Sequence, residues 1–67
     1  KMIMENVLAM LADEAMLLHV KDVARILTVS TSCAYALIRS GQIKCIRIGR
    51  TYRIPKNFLA DFLCANT

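Results

Sequence analysis

With 67 residues, 57% of them hydrophobic, and a net charge of +4, the chain has the size of one small domain, burying only about 60% of the surface its unfolded form exposes. That length excludes a deep catalytic cleft, and no run approaches the roughly 20 apolar residues that spanning a bilayer needs. Residues 1–38 hold three basic and four acidic side chains, whereas residues 39–67 hold Arg39, Lys44, Arg47, Arg50, Arg53 and Lys56 against Asp61 alone, a net of +5. A basic half of this kind is the footprint of a polyanion partner, with a solvated basic face as the plainer alternative.

Residues Met2 to about Leu17 predict a helix, with strong helix formers and neither Gly nor Pro. Ile3, Val7, Leu11 and Ala15 follow one i, i+4 row, and Met4, Leu8 and Ala12 follow the next, so the apolar stripe is broad. All four methionines lie here, and flexible thioethers suit both irregular packing and adaptable interfaces. The segment is expected either to pack on its own domain or to pair with another molecule, including a homodimer through residues 2–17.

A second helix is expected over Val20 to Leu27, where Val20, Val23, Ala24 and Leu27 share one buried face. His19 is its N-cap, and Asp22 can reach back to the His19 amide. Thr28-Val29-Ser30 forms a tight turn, and Ser30 caps a third helix spanning Thr31 to Ser40, with Gly41 supplying the left-handed residue past its end. Ala34, Leu37 and Ile38 cluster on one side of that helix; Ser32, Tyr35, Ala36 and Arg39 lie opposite, with Thr31 at the margin. Two short helices joined by three residues match a helix-turn-helix, whose second helix enters the DNA major groove.

Next, Ile46 and Ile48 alternate with Arg47, and Ile54 follows Arg53, which predicts strands sharing one apolar face. Gly49-Arg50 suits a type II′ hairpin turn, with Arg50 at the tip and Arg47 and Arg53 on the solvent face. Outward strand charges also discourage edge pairing, but three arginines beside a groove-sized helix favour phosphate contact. Pro55 opens a last helix from Lys56 to Cys64, with Phe58, Leu59, Phe62 and Leu63 as its core wedge and a frayed tail at 65–67. Cys33, Cys45, Cys64 and the lone His19 make no zinc-ligand spacing. The cysteines read as free thiols of a reducing cytosol, with no metal and no cofactor.

The stretches Leu18–Leu27, Val29-Ser30, Tyr35–Gly41, Ile46–Arg50 and Tyr52–Pro55 together resemble the small winged-helix DNA-binding domains of the excisionase type, related in fold to MerR-like regulators. The resemblance covers Leu18 to about Leu63. It implies an α+β, mainly helical fold: a winged helix-turn-helix with a two-stranded β-hairpin wing over residues 18–64, preceded by an extra N-terminal helix over 1–17. It further implies a recognition helix in the major groove and a wing on the adjacent backbone or minor groove. The family's excisionases bend DNA near recombination sites, alongside a recombinase and neighbouring copies of themselves; other members regulate transcription. Thr28 stands where the family usually has Gly, and His19 where it usually has Thr. The recognition helix has one charged side chain, Arg39.

The expected function is therefore double-stranded DNA binding in the cytoplasm, at the nucleoid, without enzymatic chemistry or membrane contact. Lys44, Arg47, Arg50, Arg53 and also Lys56 are expected on phosphates, with Thr31, Ser32, Tyr35 and Arg39 at or near base edges. The alternatives are a transcription regulator with the same domain and a protein-interaction module using the methionine-rich helix.

Overall fold

The computed structural model describes residues 3–66. Its elements in chain order are α1 (Met4–Met10), β1 (Leu17–Leu18), α2 (Val20–Leu27), α3 (Thr31–Arg39), β2 (Ile46–Ile48), β3 (Thr51–Pro55) and α4 (Lys56–Ala65). The strands form one antiparallel sheet in the order β1-β3-β2. This is a mainly helical α+β winged helix-turn-helix, as the sequence predicts, with a third strand that it does not reveal.

The first helix is shorter than its propensity suggests. It ends at Met10 rather than near Leu17, the chain turns through Leu11–Asp13, and Leu17–Leu18 is a strand. Met2 lies outside the described residues. Val7, Leu11 and Leu18 would share one face of a straight helix, so the early stop is set by tertiary partners: Leu18 enters the core as a strand residue paired with Ile54. Lys56 holds the turn in place: its Nζ donates to the Leu11 and Glu14 carbonyls (3.3 Å each), and its N–H donates to the Met16 carbonyl (2.9 Å). Pairing of Leu17 with Pro55 and Leu18 with Ile54 then sews the segment to β3. Of the two apolar rows, only the one through Val7 and Leu11 is covered; Met4 and Leu8 remain exposed.

Val20, Val23, Ala24, Ala34 and Ile38 close the helix-turn-helix core against Ile54 and Leu59, while Leu27 and Leu37 are half-buried around it. Both helices of the motif end in the same backbone device. After α3, the Gln42 N–H donates to the Leu37 carbonyl and the Gly41 N–H to the Ile38 carbonyl, with Gly41 at φ +82°. After α2, the Val29 N–H donates to the Ala24 carbonyl and the Thr28 N–H to the Arg25 carbonyl, with Thr28 at φ +59°. The Schellman geometry favours glycine at that left-handed position, so the threonine is strained there. At the other end of α3, Ser30 Oγ accepts from the Cys33 N–H (3.1 Å).

Two smaller expectations at the C-terminal end are revised. The last helix continues through Ala65, one residue past the expected Cys64, and Asn66 Nδ2 donates to the Phe62 carbonyl at 2.8 Å. Thr67 lies outside the described residues. In the wedge on α4, Leu59 is buried together with Ala60, whereas Phe58, Phe62 and Leu63 are half-buried.

Candidate nucleic-acid interface

The hairpin register fixes where each basic side chain goes. Ile46 pairs with Arg53, Arg47 with Tyr52 and Ile48 with Thr51, and directly opposed residues share a face of the sheet. Tyr52 and the buried Ile54 therefore lie on the core face with Arg47, while Ile46, Ile48, Thr51 and Arg53 lie on the other. The single apolar face expected for Ile46, Ile48 and Ile54 is not formed. Ile46 and Ile48 are 44% and 55% exposed, and Arg47 and Arg53 are on opposite faces. The alternation within each strand is as predicted; the registration between strands could not be read from a single chain and follows from the turn and from Ile54 entering the core. Gly49 at φ +62°, followed by a residue without positive φ, fits the expected type II′ turn with Arg50 at its tip.

On the core face, the hairpin and α3 meet through an aromatic contact. The Tyr35 and Tyr52 rings stand edge to face, with centroids 6.2 Å apart and planes 67° apart. The Arg39 guanidinium lies 5.9 Å from the Tyr35 centroid, and that of Arg47 lies 5.3 Å from the Tyr52 centroid. Each arginine is thus held over a ring by cation–π attraction, and the four side chains run Arg39–Tyr35–Tyr52–Arg47 from helix to wing.

On the other side of the tyrosines, the start of α2, the first turn of α3 and the wing enclose a cleft of about 280 Å³. Thr31, Tyr35, Arg50, Tyr52 and Arg53 line it, joined by Lys21 from the first turn of α2. Arg53 is half-buried and donates from Nη1 to the Tyr52 carbonyl (3.1 Å), which fixes its stem. Among the described residues, no carboxylate lines the cleft. The nearest acid in sequence, Asp22, accepts from the His19 N–H (3.1 Å) and lies 3.8 Å from Arg25. Glu14 is engaged with Arg25 at 2.8 Å, and this hydrogen bond and charge raise the Arg25 pKa above its ordinary value.

The structure thus brings Thr31, Tyr35, Arg50 and Arg53 around one cleft and sets Arg39 and Arg47 against its two tyrosines, with Ser32 exposed on α3 next to Thr31. Lys44 does not join this group. It borders a separate depression against α4, together with Asp61. Lys56 is engaged elsewhere, its ammonium donating to the Leu11 and Glu14 carbonyls. Sequence reasoning passed over Lys21. A signal was present: a cation in the first turn of a helix opposes the helix dipole, so Lys21 does nothing for the stability of α2.

Fold and site together define a winged helix-turn-helix domain. The chain belongs to the helix-turn-helix domain family, which it matches over residues 17–67. Among curated proteins it is similar to a probable excisionase of Saccharopolyspora erythraea, at 41% identity over 46 residues that cover 69% of this chain and 47% of that protein. It is also similar to a protein of Mycobacterium tuberculosis named as DNA-binding, at 34% identity over 47 residues that cover 70% of this chain and 60% of that protein. The chain therefore spans about half the length of the curated relatives it matches. No solved structure gives a significant match.

Proposed function

We propose that the protein binds double-stranded DNA as an architectural factor of excisionase type, with α3 in the major groove and the wing on the neighbouring backbone. The observation that carries this reading is the basic cleft, lined by no carboxylate among the described residues, at which Tyr35 and Tyr52 tie the recognition helix to the wing. Affinity comes chiefly from Arg47, Arg50 and Arg53 on phosphates through counterion release, and Arg39 is the side chain able to grip a guanine edge with both nitrogens. Similarity to a probable excisionase supports the excision role over promoter regulation. Footprints confined to promoters would reverse that preference.

Binding of a selected duplex and of random duplexes, measured across a salt series, tests the reading. Neutralising about three phosphates predicts a slope of log K against log salt near −2.7. Arg50→Ala should weaken all duplexes alike, whereas Arg39→Ala should weaken the selected site most, by about 1–3 kcal/mol. A slope near zero for every duplex would remove DNA binding from consideration, leaving the exposed methionine-rich segment as the interaction surface.

A further inference from the structure

The cleft between α2, α3 and the wing has a composition that base reading and wing contact do not account for. Its volume of about 280 Å³ falls just below the roughly 300–1,000 Å³ of small-molecule pockets, and its lining is unlike theirs. Such pockets place only a few polar groups; this one converges three cations, Lys21, Arg50 and Arg53, with the hydroxyls of Thr31 and Thr51. The cations come from stretches of chain far apart in sequence, so no local pattern brings them together. Lys21 also sits in the first turn of α2, where the helix dipole disfavours a cation, and among the described residues it forms no ion pair. The first-turn acid that does suit that dipole, Asp22, is engaged with the His19 amide and with Arg25 and does not line the cleft.

The backbone of β3 contributes to the same place. Thr51 to Arg53 pair with β2 along one edge, whereas β1 covers only Ile54 and Pro55 on the other. The β1-side edge of β3 is consequently free of a neighbouring strand over those three residues, all of which line the cleft.

We propose that this cleft seats one backbone phosphodiester of duplex DNA, held by Lys21 from α2 together with Arg50 and Arg53 from the wing. The assignment rests on the DNA-binding reading above and adds a ligand from the first helix of the motif. With α3 in the major groove and the wing beyond it, the sugar–phosphate strand bordering that groove must cross the space between helix and hairpin, where the cleft lies. A phosphate there meets cations from two sides. The seat reads no base, so its contribution is the same for every sequence, and it fixes the position from which Arg39 reaches into the groove.

The test is salt-dependent binding of the full chain to the selected and random duplexes, comparing the unaltered protein with Lys21→Gln, Lys21→Arg and Arg25→Gln. Lys21→Gln should weaken both duplexes by up to about five-fold near 0.15 M salt and make the slope shallower, by less than the roughly 0.9 of a whole phosphate because Arg50 and Arg53 still face it. Lys21→Arg should keep the slope. Arg25→Gln removes the same charge from the same helix, but at a side chain that faces Glu14 and not the cleft, and should also keep the slope. An unchanged slope in Lys21→Gln, or an equal loss in Arg25→Gln, overturns the seat while leaving DNA binding intact. If the unaltered protein itself shows no salt-dependent binding, the DNA reading fails and the seat fails with it.

Discussion

Replacing Thr28 by glycine is expected to stabilise this protein, and the size of the gain follows from the backbone. Thr28 stands at φ +59°, ψ +45°, past the end of α2, where the Val29 and Thr28 amides both turn back onto helix carbonyls. A Cβ in this region crowds the following carbonyl at a cost of about 1–2 kcal/mol, and β-branching makes the crowding worse. Glycine removes that strain but brings a more flexible unfolded chain, which takes back roughly 0.5–1 kcal/mol. The net expectation is a gain of about 0.5–1 kcal/mol, or roughly 2–8 °C in Tm for a domain of this size. Thermal and urea unfolding followed by circular dichroism at 222 nm would measure it, with Thr28→Ala as the control that keeps the Cβ. The alanine variant should stay within about 0.5 kcal/mol of the original, since the strain arises mainly at Cβ. A glycine variant no more stable than the parent, with alanine clearly worse, would mean that the threonine side chain makes a compensating contact and that the strain argument is wrong.

Other substitutions probe the remaining joints of the fold. Lys56→Met keeps the aliphatic stem but removes the ammonium from two carbonyls, and should lower stability by about 1–3 kcal/mol while leaving the salt slope of DNA binding unchanged. A reduced slope would return Lys56 to the phosphate-binding set. Ser30→Ala removes the cap on the Cys33 amide and should cost about 1 kcal/mol in urea unfolding. Tyr52→Leu loses the edge-to-face contact and the ring beneath Arg47, for a loss of about 0.5–1.5 kcal/mol, whereas Tyr52→Phe keeps both ring contacts and should stay close to the parent in thermal melts. Leu59→Ala opens a void at a fully buried position, and its cost of about 2–5 kcal/mol should leave a visibly unfolded fraction at 25 °C in a chain this small.

Much of the helix-turn-helix is legible in the residues because its signals are local. Ser30, Gly41 and the three-residue turn mark the ends of α3, and the spacing of Val20, Val23 and Ala24 identifies the buried face of α2. What the sequence hides is non-local. The stretch from Leu11 to Leu18 contains good helix formers, and only its partners, Lys56, Pro55 and Ile54, turn it into a reversal and a strand. The faces of the wing are hidden in the same way. Ile46, Ile48 and Ile54 look alike in sequence, but the cross-strand register sets the first two apart from the third. In the candidate site, the arginines were visible by type and the cleft was not, since Lys21 is brought to Arg50 and Arg53 only by the fold.

The pairing of β1 with β3 also has a temporal side. Leu18 must find Ile54 across more than half the length of the chain, whereas α2 with α3, and β2 with β3, join neighbours in sequence. Closing a long loop costs more entropy than closing a short one, so the motif and its hairpin should organise before the N-terminal segment docks. Until then, Val7, Leu11 and Leu18 are uncovered, and the Ile54–Pro55 edge lies open to any other strand. In refolding experiments that interval is when the protein should be most prone to self-association. Amide exchange should find the Leu17–Leu18 strand to be the first part of the sheet to open.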